Sequence, residues 1–336
     1  MLVRLSVLQI SKFDRESWRG CQLGSRIRKC LMFAFCASML MLITACNPLQ
    51  PDAMKVLDEA ADLLQKHSLG SAQVDWKHEV PAARNRLGNS PRRSDLESAI
   101  IDLIIKTGER HTFYLYPEQY ERALRAMEVD EGASEIVRIS SKGGFPVIAV
   151  KAYAVLNDRQ SVADSKKADQ LVTSALAEQK CGFIADLSKN SGGNLYPMLS
   201  ALSSILPNRA LARHVYGDGT VEDLVVVTRH SEPKHETQPI AIIIGAKTGS
   251  SGEFLSVALR SLPRSRTFGG ATAGYTTGNS LFPLSNGAAL AITTTRLSTV
   301  NGHTLNGPLS PDVVSADSTA AFIEAQKWLV KECKTG

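Results

Sequence analysis

This 336-residue sequence lacks the spacings that hold metals. It has no Cys-x-x-Cys pair, and its seven histidines form no ligand-like grouping, so neither a metal nor a cofactor is expected. It also lacks usable surplus charge. The formal charge is +5, but residues 1–45 alone hold seven Lys or Arg against two Asp or Glu, so the rest balances to zero. That balance gives no electrostatic case for nucleic acid. There is no internal repeat and no low-complexity tract. The apolar segment Leu31 to Ile43 is too short for a comfortable spanning helix.

That segment has a different meaning. Arg26, Arg28 and Lys29 precede it, and it ends in Leu42-Ile43-Thr44-Ala45-Cys46. A basic stretch, a short apolar run and small residues before a cysteine predict an export signal over residues 1–45. The ending resembles a bacterial lipoprotein processing site, which implies lipidation of Cys46 and a membrane-anchored protein on the periplasmic side or cell surface. Residues 46–52 read as a tether. Beyond them only Cys181 and Cys333 remain. One precedes an apolar strand and the other sits in a terminal helix, so two independent thiols are expected.

The length allows about two domains. Residues 53–140 read as a small, mostly helical N-terminal cap domain, with helices at 53–67, at 95–106 capped by Ser94, and near 118–127. A loop-rich stretch containing Pro81 and Pro91 separates the first two. Residues 145–336 alternate strands and helices, which predicts an α/β core. Strands are expected at 146–150, 182–187, 224–227, 240–245, 266–268 and 288–294. Helices are expected at 165–178, 195–206, after Ser250, and at 318–331.

Two junctions carry candidate chemistry. Thr248-Gly249-Ser250-Ser251-Gly252-Glu253 follows the run 240–245 and opens a helix. A serine there can attack a carbonyl whose oxygen is held by first-turn N–H groups. Ser250 and Glu253 equally fit a capping box, S-x-x-E, with no catalytic meaning. Asp186 to Asn194 closes another strand with Gly192-Gly193, and glycines at such a turn let N–H groups point into a cleft.

These segments, with Gly269 to Gly274 and Pro311-Asp312, resemble in order the motifs of the C-terminal processing (tail-specific) serine peptidases. The resemblance covers roughly residues 145–315. It implies a crotonase/ClpP-like α/β core. It also implies Ser250 as nucleophile, with Ser251 as the alternative, and an oxyanion hole made by the N–H of Ser251 with that of Gly192 or Gly193. The best-known members place a lysine base where this chain has Tyr275, so either another residue is the base or the site is inactive. His111, in Gly108-Glu109-Arg110-His111-Thr112, resembles the G-x-x-H-S/T segment of the PDZ-lacking Ser–His branch, the tricorn-core and nisin-resistance-type peptidases. The alternative for His111 is packing against Tyr114 and Tyr116. Lys247, His230 and His235 read as solvent-exposed. Glu253 and Tyr275 are possible supporting residues.

The expected function is therefore an exported lipoprotein serine endopeptidase using Ser250 and His111 on peptides or unstructured proteins, without a cofactor. The nearest branch implies a resistance role against a lantibiotic peptide. The alternative is a non-catalytic peptide-binding lipoprotein on the same scaffold.

Overall fold

The computed structural model describes residues 52–88, 91–128, 135–177 and 181–335. The expected signal segment and Cys46 lie outside them. Among the described residues no helix is long and apolar enough to cross a membrane.

Helix α1, Ala53–His67, starts at Asp52, whose carboxylate accepts the Met54 N–H at 3.0 Å. Its buried residues Val56, Leu57, Ala60, Ala61 and Leu64 recur at helical spacing and form one stripe. With α2, Trp76–Leu87, and α3, Arg93–Lys106, it packs on apolar side chains that include Leu284, Leu290 and Ile292. Strand β1, Phe113–Leu115, and helix α4, Pro117–Glu128, follow.

The remaining elements in chain order are β2 (Val137–Lys142), β3 (Phe145–Val150), α5 (Asp158–Leu176), β4 (Phe183–Asp186) and α6 (Leu195–Ser200). Then come β5 (Ala212–Tyr216), β6 (Val221–Leu224), β7 (Ile240–Ile244), α7 (Ser251–Arg260) and β8 (Ser265–Gly269). The chain closes with β9 (Thr277–Pro283), β10 (Ala289–Ser298), β11 (Val313–Val314) and α8 (Ser318–Thr335). One six-stranded sheet runs β11-β8-β7-β4-β3-β2, parallel except for the β2–β3 hairpin. A five-stranded antiparallel sheet runs β1-β10-β5-β6, with β9 also on β10.

The parallel strands are buried on both faces, so their residues alternate between two cores. Phe183, Ala185, Ile240, Ile242 and Ile244 join the large cluster with Val172, Leu199, Leu255 and Leu259 from the helices. Ile184, Ala241 and Ile243 face the other way, onto Ala321, Ala325 and Leu329 of α8. The mixed α/β class is as expected, with the N-terminal helices on the antiparallel sheet.

Several expectations are corrected. Cys181 and Cys333 are not independent thiols. They form a disulfide with Cα atoms 5.7 Å apart, because α8 lies across the parallel sheet and ends beside the start of β4. Ser94 does not cap α3. The helix starts two residues earlier, at Arg93, where the Arg92 N–H donates to Asp95 at 2.9 Å and Glu97 pairs with Arg93. Pro81 lies inside α2, whose buried Ala83 and Leu87 offset the missing N–H. Helix α5 begins at Asp158, capped by the Asn157 side chain on the Gln160 N–H. His230 and His235 are half-buried, and His230 Nε2 lies 2.8 Å from Ser165 Oγ.

Candidate active site

Ligands of parallel α/β sheets meet the loops that leave the carboxyl ends of the strands. Here three such loops converge: 187–194 after β4, 245–250 after β7 and 270–276 after β8. The Gly249 N–H donates to Asn190 O at 3.0 Å, and the Ala273 N–H donates to Thr248 O at 2.8 Å. Buried Thr248 adds a bond from its hydroxyl to Leu187 O at 2.8 Å. The three loops therefore form one hydrogen-bonded unit.

Ser250 stands at its centre, at the N-cap of α7. Its φ is +51°, and it is the only non-glycine residue among those described with a positive φ. Such a conformation costs about 1–3 kcal/mol and persists only when its surroundings enforce it. The enforcing group is Glu253, which is fully buried. Its Oε2 accepts the Ser250 N–H at 3.0 Å, and its own N–H donates to Ser250 O at 2.8 Å. So the capping interaction is real, and it holds the serine in an unusual geometry.

The two adjacent serines differ sharply. The Ser251 hydroxyl donates to Gly193 O at 2.6 Å. The Ser250 hydroxyl donates to no group among the described residues, and its oxygen faces only the Glu253 N–H of the capping box. The glycines differ as well. Gly192 has φ +108°, and a Cβ there would stand 2.9 Å from Ser250 Cβ, so only glycine permits the turn to lie against the serine. Its N–H is already committed to Asn190 Oδ1 at 2.9 Å. The N–H groups of Gly193 and Ser251 have no partner among the described residues.

Asn190, fully buried, was missed by sequence reasoning, although it lies inside the glycine-turn motif. Its Nδ2 donates to Val150 O and Lys151 O at 3.2 Å, anchoring the turn to β3.

Glu253 also reaches the third loop. Its Oε1 accepts from the Thr272 hydroxyl and from the Gly274 N–H, the latter at 2.9 Å. Burial pushes its carboxyl above the usual range, against the lowering effect of these donors. One carboxylate thus fixes both the Ser250 elbow and the approach to Tyr275.

Tyr275 links the elbow to His111. Its ring carbon Cδ2 lies 3.6 Å from where a Cβ on Gly249 would be, and its ring centroid is 5.0 Å from that of His111 at 44°. The aromatic partner of His111 is therefore Tyr275, while Tyr114 and Tyr116 pack edge-on against each other. His111 Nδ1 lies 3.0 Å from Thr277 Oγ1, at the start of β9. Burial lowers the His111 pKa, and the Thr277 main chain opposes this by favouring the protonated ring. No hydrogen bond joins His111 to the Ser250 hydroxyl. Such bonds commonly tighten only around substrate.

Other motif residues are structural. Asp186 accepts the Ser188 N–H at 2.9 Å. Asp312 accepts from Thr267 at 2.8 Å and from Arg260 at 3.0 Å, tying α7 to β8. Lys247 is exposed, as expected. Among the described residues no group of three or more His, Cys, Asp or Glu could hold a metal.

Comparison with known proteins agrees with this arrangement. The family model for peptidase family S41 matches residues 148–315. The chain is 30% identical over 306 residues to a nisin-resistance protein from Lactococcus lactis subsp. lactis, covering 84% of this chain and 89% of that protein. It is 30% identical over 144 residues to a carboxyl-terminal-processing protease from Synechocystis, which is 43% of this chain and 33% of that protein. A lipoprotein from Streptococcus agalactiae superposes with TM-score 0.72 at 28% identity, over 84% of this chain and 98% of that one. The photosystem II D1 C-terminal processing protease shares the fold, with TM-score 0.59 at 15% identity over 83% of this chain and 97% of that one. Carrying the serine elbow and glycine turn within the matched region, the chain belongs to peptidase family S41 and is a serine-type peptidase.

Proposed function

We propose that this chain is an exported lipoprotein endopeptidase in which Ser250 is the nucleophile and His111 the general base. The observation that carries this reading is the contrast at the head of α7. Ser250 is strained and its hydroxyl proton is uncommitted, while Ser251 has committed its proton to Gly193. In this reading Ser250 Oγ attacks the peptide carbonyl while His111 Nε2 takes the hydroxyl proton. The carbonyl oxygen becomes an oxyanion held by the N–H groups of Ser251 and Gly193, with Gly192 shaping the turn. His111 then protonates the departing amine, and water hydrolyses the acyl-enzyme. Tyr275, in the place of the family's lysine, is a wall of the site and not its base.

Residues 53–140 serve as the cap that delivers His111 to the core of residues 145–336, and no cofactor takes part. The anchor is Cys46, holding the protein on the outer side of a membrane. The disulfide supports export, since such bonds persist in oxidising compartments, and so does the similarity to a streptococcal lipoprotein. The similarity to a nisin-resistance protein makes a nisin-type peptide the first natural substrate to assay.

The test compares cleavage of unstructured peptides by wild type, Ser250→Ala and His111→Ala, each lacking residues 1–46. Both variants are expected to lose at least about 10³-fold in kcat. Wild-type activity in both would reject the pair. Cys46→Ala should release the full chain from membranes; retention there would reject the anchor.

A further inference from the structure

The charges at the mouth of this site are sorted by sign. Four segments form it: 108–112, 186–194, 247–253 and 269–277. Their carboxylates are all engaged. Glu109 is half-buried and faces Arg296 at 3.9 Å, Asp186 is bonded to the Ser188 N–H, and Glu253 is fully buried within its three donors. Their exposed charges are all cations: Arg110, Lys189 and Lys247. None of the three makes an ion pair or hydrogen bond among the described residues.

Arg110 is the one whose position is defined. It precedes His111, and its guanidinium carbon stands over the Tyr275 ring, 6.0 Å from the centroid. Elsewhere on the surface, Arg93, Arg213 and Arg260 each hold a carboxylate. Arg110 instead rests on an aromatic face and keeps its five N–H donors unused. The Tyr275 hydroxyl likewise has no partner among the described residues. A planar guanidinium fork and a phenol donor, held together and uncommitted, match one ligand chemistry, a carboxylate.

The direction follows from the reaction. In a Ser–His peptidase the imidazole hands its proton to the departing amine, so groups packed beside it lie next to the substrate segment beyond the scissile bond. Arg110 and Tyr275 flank His111. We infer that Arg110, resting on Tyr275, forms a carboxylate-binding subsite for the substrate segment on the C-terminal side of the cleaved bond. The ligand is either an Asp or Glu side chain or the chain-terminal α-carboxylate. This inference rests on the Ser250–His111 reading. Lys189 and Lys247 add to the positive field that draws such a peptide in.

The test uses the full-length chain in detergent and four matched peptides. Two differ only in a free or amidated C-terminus close to the cleaved bond. Two differ only in Asp or Asn just beyond it. The readout is the ratio of kcat/KM within each pair for wild type, Arg110→Gln and Arg110→Lys, at low and high salt. Wild type should favour the carboxylate peptide about tenfold in at least one pair, mainly through KM, with the ratio shrinking as salt rises. Arg110→Gln should bring that ratio to about one, and Arg110→Lys should keep part of it. A preference in the first pair assigns the α-carboxylate, and one in the second assigns an acidic side chain. No preference in wild type, or the same ratio in Arg110→Gln, overturns the subsite. Ser250→Ala run alongside separates the two ideas: its loss of cleavage with flat wild-type ratios removes the subsite alone, whereas its full activity removes the catalytic reading as well.

Discussion

Ser251 donates its hydroxyl proton to the carbonyl of Gly193 across 2.6 Å. That bond docks the glycine turn onto the first residue of α7, and in the proposed mechanism it leaves Ser250 as the nucleophile. Ser251→Ala should therefore lower kcat only modestly, by about tenfold at most, since one hydrogen bond is worth about 1 kcal/mol. Ser250→Ala should cost at least about 10³-fold. The check is kcat on a single peptide. A larger loss in Ser251→Ala than in Ser250→Ala would reverse the assignment.

The pH dependence follows from the burial of His111, which lowers its pKa. In the proposed mechanism the neutral ring is the base, so activity is full above the folded pKa and lost as pH falls through it. The acid limb of kcat/KM should lie below the ordinary histidine value of about 6.5. Tyr275→Ala opens the ring to water and should move that limb upward, towards the ordinary value. A limb that stays put in Tyr275→Ala would mean that Tyr275 does not shield His111.

Glu253 accepts only donors: the Ser250 N–H, the Gly274 N–H and the Thr272 hydroxyl. A glutamine there would turn an N–H₂ group towards at least one of them. Glu253→Gln should thus behave almost like Glu253→Ala, losing about 2–3 kcal/mol of stability and at least about tenfold in kcat. Denaturant unfolding and peptide kinetics give the two readings. Near-wild-type values for the glutamine variant would contradict the bridging role.

The parallel core was legible in the sequence because β4 and β7 are continuous apolar runs, buried on both faces. Strands β2, β5 and β9 were not. They carry Arg138 and Ser140, Arg213 and His214, or Asn279 and Ser280, and only their pairing partners make them strands. The site was half legible. The Ser-Ser-Gly-Glu and Gly-Gly segments stood out and the resemblance favoured Ser250, but which hydroxyl and which N–H are already bonded shows only in the fold. Thr277, the partner of His111 Nδ1, lies 166 residues away, beyond the reach of local pattern.

The disulfide was hidden for the same reason, since 152 residues separate Cys181 from Cys333. It ties α8 to the start of β4, so Cys333→Ser should lower stability by about 2–5 kcal/mol. The loss should be matched when wild type is unfolded under reducing conditions. Equal stability of the oxidised and reduced forms would show that the cross-link contributes nothing.

The most direct test of the central claim is covalent. The protein lacking residues 1–46 is treated with a fluorophosphonate, which phosphonylates activated serines with loss of fluoride, and the label is located by peptide mapping. The account predicts stoichiometric labelling of Ser250, none in Ser250→Ala and at least about 100-fold slower labelling in His111→Ala. Labelling of Ser251 instead, or an unchanged rate in His111→Ala, would contradict it.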